Sequence, residues 1–298
     1  MNVELIADFN DLCGECPIWD SASASLYWTD CAGSRFYHYN PRNGQAAILR
    51  TGVEVNGFRF NRSGGFVVSN SSGVWLWPSP DAELVPVVSQ VDGRPCRLND
   101  CAADPAGRLL TGSLFYHPAH DYPLGQLISI GTNGVARVLD EGYHLSNGIA
   151  FSPDGSLLYA TDSVSRRIYE YDYDLRSGTA SNRRVRVQVP RDQGVPDGLR
   201  VDTSGFLWSA QWYGSCVVRY DPEGTEERRI PVPAKQTSCV TFGGPDLTTL
   251  YITTAGLSEP MPVMPPGYDA VEGQFGGPLY RIEVEIQGLP DLPADIVL

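Results

Sequence analysis

Six short segments of this 298-residue chain begin with, or close to, a polar residue whose chemistry is that of an oxygen donor. They open at Glu15, Asn56, Asn99, Asn147, Asp197 and Cys239, and five of these six side chains carry a carboxylate or amide oxygen. Two carboxylates supplemented by neutral amide oxygens make a hard, partly charged cage. Such a cage suits Ca²⁺, Mg²⁺ or Mn²⁺ completed by water, rather than a metal that favours thiolate or imidazole. A cation with positions left to water polarises a carbonyl and lowers the pKa of the water. Asn and Asp also open strands because they cap turns, and Asn-Gly and Asp-Gly are common turn pairs. The argument for a site therefore rests on their convergence, which depends on the fold.

The segments that carry these residues are copies of one pattern. They read from Glu15 to Asp30, Asn56 to Ser69, Asn99 to Gly112, Asn147 to Asp162, Asp197 to Ala210 and Cys239 to Thr254, with starts spaced 41 to 50 residues apart. Each is a pair of runs with period-two alternation joined by a short Gly, Asp, Pro or Ser turn, which predicts two antiparallel strands. Further strand-like runs follow at Arg35–Tyr39, Gly73–Trp77, Gln126–Ile130, Arg167–Asp172 and Cys216–Asp221. About four strands in every 40 to 50 residues is the arithmetic of a propeller blade. The expectation is all-β: a six-bladed β-propeller forming a single domain over 1–298. The first strand of each blade lines the central channel, so the six starting residues form a ring. Val3–Phe9 is left over at one end, and Gly277–Ile286 is the last clear strand at the other. Their pairing would complete the final blade and remove free edges. Leu257–Gly276 reads as a long loop.

Five motifs in order resemble the senescence-marker protein, gluconolactonase and luciferin-regenerating family. They are Gly14-Glu15-Cys16-Pro17 with Trp19 and Leu26–Asp30, Arg97–Arg108, Asn147–Gly155, Pro196–Trp208 and Phe242–Tyr251. The resemblance runs nearly end to end. It implies a metal-dependent hydrolase acting on a sugar lactone, with Glu15, Asn147 and Asp197 holding one divalent cation and Asn99 as a fourth ligand or the holder of a water. The cation would be Ca²⁺ in first place, with Mg²⁺, Mn²⁺ or Zn²⁺ as alternatives. Asp197 would be the catalytic group, and Arg97 and Asn99 would bind substrate; His144, from its place just before Asn147, is a further candidate to bind substrate in the pocket. The chain departs from the family at Cys16, where Gly is usual. Its side chain would either crowd the metal or pack within the blades, and the second is expected. The stretch Ser113–Tyr122 falls where the family has a variable loop over the pocket and is expected to select the sugar.

Other signals bound the reading. The net charge of −13 argues against nucleic acid as a partner, since binding it relies on Lys and Arg. No run approaches the ~18 apolar residues of a membrane helix. The acidic start, with Glu4, Asp8 and Asp11, is wrong for a signal peptide. Seven dispersed cysteines suit free thiols and a cytoplasmic location. No obligate protein partner is evident. Cys13 and Cys16 have C-x-x-C spacing but no second pair, so they read as unconnected thiols. Asp172 and Asp174 have the start of a calcium loop, yet Ser177 and Arg183 stand where Gly and Glu are needed, and an edge strand of the fourth blade is expected. His117 and His120 read as loop residues. Trp212 and Tyr213 are candidates for the pocket mouth. The rival functions are a phosphotriesterase-like hydrolase on the same cation and a calcium-binding propeller without turnover.

Overall fold

The computed structural model describes residues 2–114, 124–257, 263–269, 271 and 273–298. Its regular structure is entirely β among these residues, in six four-stranded antiparallel sheets plus one small two-stranded ribbon. The sheets are the six blades. Their inner strands are Gly14–Asp20, Gly57–Phe60, Leu98–Ala103, Ser146–Phe151, Val195–Val201 and Thr237–Gly243. Each inner strand packs against the inner strands on either side of it, which closes the ring. Blades one to five are simple meanders, each made of four consecutive strands. The sixth is made from both ends of the chain: Glu4–Asp8 pairs antiparallel with Pro278–Glu283, outside Thr249–Thr254 and Thr237–Gly243. Closure of this kind ties the termini together and leaves no inner edge to pair with another chain.

Alternation within the strands supplies the packing between blades. Trp208, Val217, Val240, Phe242, Leu250 and Ile252 form one cluster where blades five and six meet. Phe36, Phe58, Phe66 and Trp77 form another between blades one and two, with Phe58 edge-on to Phe36 at 4.9 Å. Buried aromatic pairs of this geometry add about 1 kcal/mol beyond their area. Asp172 and Asp174 lie in Arg167–Asp174, the third strand of blade four, whose edge strand is Thr179–Gln188. The edge expected at these two aspartates is therefore one strand further out. Asp172 accepts from Asn182 and Arg184 of that neighbour, while Asp174 caps the turn that joins the two strands.

The end of the chain has a role that its sequence pattern does not announce. After the last strand it crosses the face of the ring opposite the channel entrance: Leu289 N donates to Val201 O, Ala294 N to Phe60 O and Asp295 N to Gly107 O. Asn61 clamps the tail, donating to Ile296 O and accepting from Ile296 N. Among the described residues no helix is long and apolar enough to cross a membrane.

Candidate functional site

The six starting residues stand at or just before the first residues of the inner strands, and the strands are distorted there. In five blades the pairing of first and second strand slips at the ring position, between Glu15 and Ile18, Leu98 and Cys101, Asn147 and Ile149, Pro196 and Leu199, and Thr237 and Cys239. A bulge bends the strand and re-aims a side chain, which turns the polar residue toward the channel. Two glycines make the close approach possible. A Cβ at Gly148, which has φ +25°, would come within 2.4 Å of Asp197 O, and one at Gly198 within 2.2 Å of Cys239 Sγ. Cys16 takes the same place in blade one with φ 46°. Its side chain is fully buried in the packing of blades one and two, where Sγ accepts from Phe58 N at 3.3 Å. The side chain therefore packs between blades rather than pointing at the carboxylates.

A belt of side-chain hydrogen bonds links the inner strands. Thr29 Oγ1 donates to Val55 O at 2.9 Å, Asn56 Nδ2 to Leu98 O at 2.9 Å, and Asn99 Nδ2 to Ser146 O at 2.9 Å. Ser163 Oγ donates to Pro196 O at 2.7 Å and Ser238 Oγ to Gly14 O at 2.5 Å. Every acceptor is the carbonyl just before a ring position. Each bond contributes about 1 kcal/mol and satisfies a carbonyl at the start of an inner strand. The recurrence of polar residues at this register thus has a structural cause as well as a chemical one. Asn56 is used this way, its amide nitrogen shared between Leu98 O and Glu54 Oε1. In blade six the belt donor is Ser238, while Cys239 is wholly buried.

Glu15, Asn147, Asp197 and Asn99 have a different character. Asp197 is only 4 % exposed, and its Oδ1 is buried without a hydrogen-bond partner. Burial first, then the nearby Asp100 carboxyl, pushes its pKa well above the usual carboxylate range. The same holds for Glu15, raised by burial, then by Asp197, Cys31 and Asp100, and opposed by the hydrogen bond that Oε2 accepts from Cys16 N at 3.1 Å. Two buried carboxyls in a confined place, both raised by burial and by Asp100, are what a cation would neutralise. The amides are oriented to match. Ser163 spends its proton on Pro196 O, so toward Asn147 it is an acceptor, and Asn147 Nδ2 donates to it at 3.0 Å. That fixes Asn147 Oδ1 as an outward acceptor, met by Asn99 Nδ2 at 2.6 Å. An orphaned carboxylate oxygen, a second carboxyl and a fixed amide oxygen fit a hard divalent cation. Among the described residues no group of three His, Cys, Asp or Glu is placed to hold a metal, in keeping with a donor set that relies on amides.

The other expected residues lie around this centre. Arg97 is exposed, two residues before Asn99, and its carbonyl takes Leu114 N at 2.6 Å. His144 Nδ1 lies 3.0 Å from Asp162 Oδ2, with about a third of its side chain exposed. Asp162 also takes Leu145 N, as Asp30 takes Leu12 N and Cys13 N in blade one. These Thr-Asp ends of the second strands position the segments that lead into Asn147 and Glu15. Trp212 is half-buried with its indole Nε1 unpartnered, while Tyr213 is buried, 4.5 Å from the Tyr268 ring. His117, His120 and most of the Ser113–Tyr122 stretch lie outside the described residues. One feature of the site was missed from sequence. Asp100, whose charge raises the pKa of both Glu15 and Asp197, has Oδ2 buried and unpartnered. Cys16 Sγ accepts from Phe58 N and Arg59 Nη1, and all seven cysteines are free, so the C-x-x-C pair is not joined.

Comparison with known proteins gives the family and the fold. Residues 13–256 match the family described as SMP-30/Gluconolactonase/LRE-like region. The chain belongs to that family. It is 35 % identical over the full length of both chains to a pentonolactonase of Haloferax volcanii. It is 33 % identical to a 6-deoxy-6-sulfogluconolactonase of Pseudomonas putida, over 81 % of this chain and 83 % of that one. Among solved structures, a luciferin-regenerating enzyme superposes with TM-score 0.86 at 27 % identity, covering 99 % of each chain.

Proposed function

We propose that this protein hydrolyses an aldonolactone, a cyclic ester of a five- or six-carbon sugar acid, with one divalent cation held by Glu15, Asn147 and Asp197. The observation that carries the reading is the buried, partnerless Oδ1 of Asp197 beside a second carboxyl and the fixed amide oxygen of Asn147. Kinship with enzymes named as pentonolactonase and 6-deoxy-6-sulfogluconolactonase supports the ester as substrate. The oxygen-rich donor set favours Ca²⁺, then Mg²⁺, Mn²⁺ or Zn²⁺.

A cation so held supplies polarisation of the ester carbonyl. The protein's own groups do the rest. The carboxylate oxygen of Asp197 that does not hold the cation accepts the proton of the attacking water and returns it to the ring oxygen as the ester opens, giving the free sugar acid. Burial and the Asp100 carboxyl raise the pKa of Asp197 and so keep it basic, while Glu15 shares in holding the cation. Asn99, fixed by its bonds to Ser146 O and Asn147 Oδ1, holds the amide ring steady and presents its Oδ1 to sugar hydroxyls or water. Arg97 meets sugar hydroxyls or the developing oxyanion with charge-assisted hydrogen bonds, and His144, braced by Asp162, meets a hydroxyl at the rim.

The test is a pH-indicator assay on a panel of pentono- and hexonolactones. The wild-type protein should exceed spontaneous opening for at least one, and folded Asp197→Asn should not. A panel on which the wild type never exceeds the spontaneous rate defeats the proposal, and turnover of phosphotriesters in its place would redirect it.

A further inference from the structure

The inner strands carry a second set of charged groups toward their other ends. Arg59 and Arg200 each follow a ring position by three residues, Asn56 and Asp197. At about 3.3 Å per residue this places them ~10 Å along the channel from the carboxylate cluster. Both are buried, 2 % and 7 % exposed. They line a cavity of about 320 Å³ under the C-terminal tail, with Ala102, Ile149, Phe151, Val201, Leu289 and Leu292 among the walls.

The two guanidiniums are not equally matched. Arg200 Nε lies 3.3 Å from Asp291 Oδ1, and its Nη1 and Nη2 donate to Leu199 O and Pro17 O. Asp291 is further held by Thr241 Oγ1 at 2.8 Å. Arg59 has only Nη1 engaged, with Phe58 O at 2.6 Å and Cys16 Sγ at 3.3 Å. Asp100 and Asp291 are within its electrostatic reach, yet no carboxylate of the described residues forms an ion pair with it. A buried charge without a partner is costly, and proteins pair such charges or give them a ligand. Arg200 Nε, though near Asp291, also makes no hydrogen bond. Arg59 brings the unused donors to the cavity, since Nη1 and Nη2 of Arg200 are engaged and its Nε is wholly enclosed; Asp291 and the apolar walls border the same space.

We propose that this lower chamber is a second binding site, for a small organic acid whose carboxylate meets Arg59, with the Arg200 charge nearby, and whose apolar body fills the space beneath the tail. At ~30 Å³ for each water-sized volume, the chamber holds a ligand of about ten to fifteen non-hydrogen atoms. The walls select an aryl or branched alkyl acid and disfavour a polyhydroxylated sugar acid, whose hydroxyls would find few partners there. The site is distinct from the lactone centre, because Arg59 and Arg200 lie ~10 Å further along the inner strands.

The test is calorimetric titration of the full-length protein with phenylacetate and with its neutral analogue phenylacetamide. Expected are one saturable site for the acid and binding roughly tenfold weaker or worse for the amide. Arg59→Met should weaken the acid as much. Ala150→Leu, which fills the chamber and leaves both arginines, should do so too while sugar-lactone hydrolysis stays at the wild-type rate. Ala150→Leu and the amide decide the matter if Arg59→Met fails to fold. The proposal is overturned by no saturable binding, by equal binding of acid and amide, or by undiminished binding to Ala150→Leu. Competitive inhibition of lactone hydrolysis by phenylacetate would also overturn it, since the acid would then occupy the upper site.

Discussion

Replacing Asp197 by Asn should make the cation-free protein more stable, the reverse of what most buried substitutions do. The reason lies in the unpartnered Oδ1, in the burial that raises the Asp197 pKa, and in the charge by which Asp197 raises that of Glu15. An unsatisfied buried group carries a penalty of about 1–3 kcal/mol, more when charged. Asn keeps the shape, removes the charge and relieves Glu15. Unfolding entropy of ~2.1 cal/mol/K per residue gives about 0.6 kcal/mol/K for 298 residues. The gain should therefore appear as a rise in Tm of roughly 2–5 °C in chelator. Cation should invert the order. At a hundred times Kd, binding stabilises the wild type by ~2.7 kcal/mol, or about 4 °C, while Asp197→Asn has lost a charged ligand and moves little. Scanning calorimetry with and without Ca²⁺ reads both. A variant less stable than wild type in chelator, and raised by Ca²⁺ as much as wild type, would refute the reasoning.

Three further outcomes follow from the same geometry. Asn99→Ala loses the bonds to Ser146 O and Asn147 Oδ1, so cation affinity should fall roughly 10-fold or more, as for other residues that orient metal ligands, measured by titration of the stripped protein. The kcat/KM profile should lose activity as pH falls, because Asp197 acts only when ionised. Since its pKa is raised, the midpoint should lie above the ordinary carboxylate range at limiting cation and move down as cation is added; a midpoint insensitive to cation would count against the shared site. Asp11, buried against Tyr37 and Trp28, has its pKa raised by burial to about 6. The folded state then holds this proton where the unfolded state has released it. Its contribution is full below the unfolded value, near 4, and is lost as pH rises through about 6, a fall of roughly 3 kcal/mol. Urea unfolding at pH 4 and pH 7 should show that step in the wild type and a smaller one in Asp11→Asn.

The propeller was legible because its repeat is written in alternation and turn residues, and each blade forms mostly from neighbours in sequence. Glu4–Asp8 could be matched with Pro278–Glu283 because a ring must close and those runs were left over. The tail could not be read: its contacts are single backbone bonds such as Ala294 N to Phe60 O, which leave no periodic trace. At the site, residue type and register brought out Glu15, Asn99, Asn147 and Asp197, but not the division of labour among the asparagines. Asn56 and Asn99 both donate to the next blade's carbonyl, and only Asn99 also reaches an amide of the ring. Asp100 went unnoticed because a strict two-residue period assigns it to the packed face. The slip between Leu98 and Cys101 lifts that assignment and leaves its Oδ2 buried without a partner. Arg59 and Arg200 likewise gave no signal, since an Arg three residues into a strand reads as surface until the tail is seen to cover it.

The most direct test of the account is the rate of aldonolactone opening by chelator-stripped protein, followed with a pH indicator while Ca²⁺, Mg²⁺, Mn²⁺ or Zn²⁺ is returned singly. The account predicts that turnover vanishes on stripping and returns, saturably, with one or more of these cations. Undiminished turnover in excess chelator, or no turnover with any cation on any lactone, would contradict it.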